Sequence, residues 1–92
     1  QRRVKKRIPK LHKILIAEDE DVSFNYLSIL LNHYNNFEII RGYNGLEAVE
    51  IIKKQPDINL VLMDVKMPVM SGYEASKKIR EFNKEVVIIA QT

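Results

Sequence analysis

The stretch Leu60-Val61-Leu62-Met63-Asp64-Val65-Lys66-Met67-Pro68 decides the fold. It opens as an uninterrupted apolar run, the pattern of a strand covered on both faces in a parallel sheet. It then places a carboxylate, Asp64, where the strand should end, and Pro68 and Gly72 mark the turn that follows. In open α/β sheets the ligand crevice lies outside the carboxyl ends of the strands. Asp64 is therefore a candidate reactive group, and the acceptor of a phosphoryl group is the role the rest of the chain can be read against.

Working outward, the same punctuation recurs. Lys13 to Ala17 is a short apolar strand centred on Ile14-Leu15-Ile16, followed at once by Glu18-Asp19-Glu20-Asp21. A helix is expected from about Asp21 to about Tyr34, with Val22, Tyr26, Leu27, Leu30, Leu31 and Tyr34 on its apolar face. Phe37 to Arg41 reads as a second strand, and Gly42-Tyr43-Asn44-Gly45 as a turn. Leu46, Ala48, Val49 and Ile52 mark the inner face of a second helix, which stops near Gln55 because Pro56 disfavours a helical residue before it. After the third strand, Ile58 to Asp64, Ser71 is placed to cap a third helix with apolar positions Tyr73, Ala75, Ile79 and Phe82. Val86 to Ala90 is a fourth strand. This strictly alternating order predicts an α/β fold with a parallel sheet and right-handed crossovers.

Composition narrows the class. With 92 residues there is room for one small domain, and 46% hydrophobic with 29% charged residues is the balance of a globular chain. The absence of cysteine excludes disulfides and thiolate metal sites. No apolar run is long enough to span a bilayer, so no direct membrane insertion is expected of this segment, and a cytoplasmic, reducing location fits. The formal charge of +3 conceals two segments. Residues 1–13 hold seven basic and no acidic residues, whereas the remainder holds all twelve acids and eight basic residues, a net of −4. Residues 1–11 read as a basic linker. Basic runs can contact nucleic acid or anionic lipid, but this one is short and lacks interleaved aromatics, so no specific nucleic-acid partner is expected.

Three strands end in polar groups: Glu18 and Asp19 after the first, Asp64 after the third, Thr92 after the fourth. If the first strand lies between the second and third, Glu18, Asp19 and Asp64 meet in one pocket with Thr92 beside it, and Arg41, ending the second strand, lies further out. Three carboxylates together repel one another and raise each other's proton affinity, a penalty that a divalent cation removes. An oxygen-only ligand set selects a hard ion such as Mg²⁺ (or Mn²⁺). Asp64 as nucleophile would form an aspartyl phosphate. A hydroxyl such as that of Thr92 could turn toward the new charge and move the following loop.

The segments Ile14-Leu15-Ile16-Ala17-Glu18-Asp19-Glu20, Asn44-Gly45-Leu46-Glu47-Ala48, Leu62-Met63-Asp64-Val65-Lys66-Met67-Pro68-Val69-Met70-Ser71-Gly72 and Ile88-Ile89-Ala90-Gln91-Thr92 together resemble the receiver domain of two-component response regulators. The resemblance runs from about Lys13 to the last residue, and Met-Asp-x-x-Met-Pro-x-Met-x-Gly is its most specific part. It implies a flavodoxin-like doubly wound sheet of strand order 2-1-3-4 over residues 12–92. It also implies Asp64 as phosphoacceptor, Glu18 and Asp19 as the metal-binding acids, the Lys66 backbone carbonyl as a further metal ligand, and Thr92 as the switch hydroxyl. Pro68 and Gly72 would shape the loop. The implied partner is a histidine kinase or a histidine phosphotransfer domain, and the leading basic linker suits a hybrid histidine kinase as parent.

The chain departs from the pattern in ending at the switch residue, before the fifth strand and its lysine. The expectation is therefore a C-terminally incomplete receiver whose fourth strand is an open edge, available for pairing with a second copy. A receiver-like interaction module that does not phosphorylate is the alternative. A phosphatase of the haloacid dehalogenase type, which also uses an aspartyl phosphate, wants an acid two residues after the nucleophile, and Lys66 stands there instead.

Overall fold

A computed structural model of the chain describes residues 12–34 and 37–91. The linker expected over residues 1–11 and the switch expected at Thr92 lie outside the described residues. In order the elements are β1 (His12–Ala17), α1 (Asp21–Tyr34), β2 (Phe37–Gly42), α2 (Gly45–Lys54), β3 (Leu60–Asp64), α3 (Gly72–Phe82) and β4 (Val87–Gln91). All strand pairs are parallel and the sheet order is β2-β1-β3-β4, as the sequence predicts.

Alternation along the central strands explains their unbroken apolar runs. In β1, Leu15 and Ala17 face one side and Ile14 and Ile16 the other, and all four are buried. Leu15, Ala17, Val61 and Met63 pack with Ala48, Val49 and Ile52 of α2 and with Ala75 and Ile79 of α3. Ile14, Ile16 and Leu62 pack with Phe24, Leu27 and Leu31 of α1 and with Phe37 and Ile39 of β2. Small residues are buried on both helices, Gly45 and Ala48 on α2 and Gly72 and Ala75 on α3, and the two alanines lie in one core cluster.

The helix ends follow from local chemistry. The Asn44 side chain accepts the Glu47 N–H at 2.8 Å to start α2, which ends at Gln55 ahead of Pro56. Ser71 and Glu74 form a reciprocal capping box at the start of α3.

The expected helix faces need correcting. On α1 the residues that pack are Phe24, Leu27 and Leu31, whereas Val22, Tyr26, Leu30 and Tyr34 are exposed. Apolar residues occur on all sides of this helix, and the open groove of the sheet selects the 24/27/31 row. Leu46 and Tyr73 are also exposed. Each directly follows a glycine that is pressed inward, and one residue along a helix turns the side chain by ~100°. Phe82 is half out, with the Lys53 ammonium 5.6 Å from its ring centre.

Candidate functional site

Strand register builds the site. Ala17 lies opposite Met63, so the next residues, Glu18 and Asp64, leave the sheet side by side at its carboxyl edge. Asp64 in turn lies opposite Gln91 of β4, and the Val65 N–H donates to the Gln91 carbonyl at 3.0 Å. The Glu18 N–H donates to the Gly42 carbonyl at 3.0 Å, which ties the end of β1 to β2.

Glu18, Asp19 and Asp64 each bring a carboxylate oxygen within 4.8 Å of the others. Glu18 is buried, Asp64 half-buried and Asp19 exposed. Burial raises the Glu18 proton affinity above the ordinary glutamate range, and the charges of Asp64, Asp19 and Glu20 raise it further. The Glu20 N–H, donating to Glu18 Oε2 at 3.2 Å, opposes the rise. An oxygen-only cluster with a carboxylate held against its own ionisation fits a hard divalent cation such as Mg²⁺ or Mn²⁺. Beside it runs an open cleft of about 540 Å³, lined by Glu18, Glu20, Val22, Ser23, Tyr26, Leu27, Asp64 and Gln91.

The loop after β3 is folded back beneath Asp64. The Lys66 N–H donates to Asp64 Oδ1 at 3.0 Å and fixes the carboxylate. The Met70 N–H reaches the Pro68 carbonyl at 2.7 Å across a three-residue turn, with Val69 at φ 69°. That is the rare and strained form of the γ-turn, and a β-branched residue is a poor occupant of it. Gly72 donates to the Val65 carbonyl at 3.2 Å, and its Cα faces the backbone of Asp64 and Val65 so closely that a Cβ has no room. Gly72 is thus required by close approach rather than by φ, since no glycine here has positive φ. Gly45 stands against the Met70 backbone in the same way, so α2 also buttresses the loop.

Sequence reasoning placed Arg41 outside the pocket. Its strand is indeed the outer one, but its side chain reaches back. Nε donates to the Glu18 carbonyl at 3.1 Å and Nη1 pairs with Asp21 Oδ1 at 2.8 Å. The sequence offered no signal for this beyond a basic residue ending a strand beside an acidic loop.

Comparison with known proteins agrees with this geometry. The family model described as the response regulator receiver domain matches residues 14–92. Hybrid signal transduction histidine kinase B of Dictyostelium discoideum is 42% identical over 79 residues, which take in 86% of this chain and 4% of the kinase. The chain therefore spans only a small part of that relative. Among solved structures, the complex of the Saccharomyces cerevisiae histidine phosphotransfer protein Ypd1 with the receiver domain of Ssk1 aligns at TM-score 0.79 and 31% identity, covering 91% of this chain and 65% of that one. The CheX–CheY–BeF3–Mg²⁺ complex of Borrelia burgdorferi aligns at TM-score 0.76 and 30% identity, covering 86% and 60%. Register, acidic cluster and family match converge: this chain belongs to the response regulator receiver domain family of two-component signalling.

Proposed function

We propose that this receiver takes a phosphoryl group from a phosphohistidine onto Asp64. The observation that carries the reading is the convergence of Glu18, Asp19 and Asp64 within 4.8 Å at the carboxyl edge of the sheet. Those three carboxylates and the Lys66 backbone carbonyl would hold Mg²⁺ or Mn²⁺. When bound, the cation neutralises the clustered acids and the charge on the phosphoryl oxygens. With Oδ1 held by the Lys66 N–H, Oδ2 is the oxygen to which we assign the attack. The new O–P bond forms as the P–N bond breaks, and the electron pair stays on the ring nitrogen of the donor histidine.

Pro68, Val69 and Gly72 keep the loop folded under Asp64 while this occurs. Thr92, assigned from sequence position, supplies the hydroxyl that turns toward the phosphoryl group. The donor is a histidine kinase or a histidine phosphotransfer domain; the structural likeness to the Ssk1 receiver complexed with Ypd1 supports this. Similarity to hybrid kinase B supports a hybrid histidine kinase as the parent protein, and we assign this module to the cytoplasm. Among the described residues no helix is long and apolar enough to cross a membrane.

The test is intact-mass measurement after incubation with acetyl phosphate and Mg²⁺, beside an Asp64→Asn variant. An adduct of one phosphoryl group on the parent and none on the variant is expected. An adduct that persists in Asp64→Asn overturns the assignment, and no adduct on either chain favours a module that only binds partners.

A further inference from the structure

We propose that Arg41 is a positioning residue that locks the acidic loop between β1 and α1 into its cation-binding form without competing for the cation. The inference rests on the reading of Glu18, Asp19 and Asp64 as a cation site and goes on to say what holds that site open.

Arg41 is anchored in β2 opposite Ile16, and its side chain is 13% exposed. Its guanidinium carbon lies 4.4 Å from the ring centre of Phe24 in α1 and 4.1 Å from that of Tyr43 in the loop after β2. Both distances are within cation–π range. From that slot it grips the acidic loop at two points. Nε holds the Glu18 carbonyl at 3.1 Å, and Nη1 holds the Asp21 carboxylate at 2.8 Å. The grips, one on the Glu18 carbonyl and one on the side chain of Asp21 at the start of α1, fall on either side of Asp19 and hold the segment that carries the two proposed ligands.

The choice of partners matters. A guanidinium beside three carboxylates ordinarily pairs with them, since its fork matches carboxylate geometry. Here the fork is spent on a main-chain carbonyl and on Asp21, which is not in the cluster. The guanidinium therefore leaves the oxygens of Glu18, Asp19 and Asp64 available to a cation. Arg41 Nη2 is buried without a hydrogen-bond partner. The two grips come from two different nitrogens in one flat fork, which a lysine ammonium does not reproduce, so lysine at this position is not conservative.

The test is calorimetric titration of the chain with Mg²⁺ alone, for the parent, Arg41→Met, Arg41→Lys, Asp21→Asn and Asp64→Asn, each checked for fold by circular dichroism. Loss of a group that orients metal ligands commonly weakens metal binding by 10–100-fold. We expect Kd to rise about tenfold in both Arg41 variants, the lower end of that range, and by about threefold, less than that range, in Asp21→Asn, which removes one of the two grips. We also expect the acetyl phosphate reaction of Arg41→Lys to return to within about twofold of the parent rate at saturating Mg²⁺, as a defect confined to ligand positioning requires.

A parent-like Kd in Arg41→Met overturns the proposal. If that variant does not fold, a parent-like Kd in Asp21→Asn overturns it instead, because Asp21 is exposed and its loss leaves the core intact. A rate that stays low at saturating Mg²⁺ would make Arg41 a structural residue only. Binding that is unchanged in Asp64→Asn, or absent from the parent, removes the underlying site and this proposal with it. Binding that Asp64→Asn abolishes and the Arg41 variants leave intact sinks this proposal alone.

Discussion

A single methyl group added at Gly72 should damage both stability and the pocket, while the same methyl at Gly42 should help. A Cβ built on Gly72 overlaps the Asp64 carbonyl oxygen and comes within 2.8 Å of the Val65 Cα. Neither is the flexible end of a side chain. The Val65 N–H is committed to the Gln91 carbonyl at 3.0 Å, and the Val65 carbonyl to the Gly72 N–H at 3.2 Å. Relief thus means shifting the end of β3 or the start of α3. Overpacking of this kind costs ~1–3 kcal/mol, and more where backbone must move. Replacing glycine in the first turn of a helix returns up to ~1 kcal/mol. The expected net loss is about 2 kcal/mol, or a fall in Tm of roughly 8–16 °C for a domain of this size. At Gly42 a Cβ meets the Ala48 N at 3.4 Å and Ile51 Cδ1 at 3.6 Å, ordinary contacts, and φ is not positive. Gly42→Ala should gain about 0.5 kcal/mol by restricting the unfolded chain.

Thermal unfolding followed by circular dichroism measures both changes, and uptake of a phosphoryl group by intact mass measures the pocket. Because the clash falls on the residue that bears the carboxylate, Gly72→Ala should lose modification as well as stability. Gly42→Ala should keep both. If Gly72→Ala were as stable as the parent, the close approach of α3 to β3 would be wrong, and with it the account of how the loop is held under Asp64.

Three further outcomes are expected. Ser71→Ala removes the hydroxyl that accepts the Glu74 N–H at 3.2 Å and should cost about 1 kcal/mol; an unchanged urea midpoint would mean that the capping box contributes nothing. Val69→Gly relieves a left-handed φ at an exposed side chain. Strain of ~1–3 kcal/mol, less ~0.4–1 kcal/mol of added unfolded-state freedom, predicts a gain of about 1 kcal/mol, and a lower Tm would refute that accounting. Glu18 has its proton affinity raised by burial first and by the neighbouring acids next. In the metal-free chain its contribution to stability is therefore full below the ordinary glutamate value and is lost as pH rises through the raised one. Asp19, Glu20 and Asp64 face it as acids, and Arg41 holds its carbonyl. Glu18→Gln should consequently be the more stable chain at pH 7 without metal, and added Mg²⁺ should narrow the difference. A Glu18→Gln chain less stable than the parent at pH 7 in chelator would contradict this sign.

The parts legible in the sequence are those where one physical demand acts alone. β1 and β3 are covered on both faces, so their runs are unbroken, and the charge that follows each run marks the edge where a ligand can sit. The juxtaposition of Glu18, Asp19 and Asp64 needs only the strand order, which the alternating elements restrict to a few choices. What escaped reading depended on two demands at once. The packing side of α1 could not be chosen, because Val22, Tyr26, Leu30 and Tyr34 satisfy helical spacing as well as Phe24, Leu27 and Leu31 do. Only the sheet groove distinguishes them. Val69 at φ 69° runs against its own preference, so no local rule could reveal the turn it occupies. The reach of the Arg41 side chain escaped for a related reason. Its Cα lies on the outer strand, as expected, but its length and flat donor fork carry its effect one strand inward, between two rings and onto the acidic loop. From there it holds a main-chain carbonyl and Asp21, and the oxygens of the three clustered carboxylates are left clear of the guanidinium.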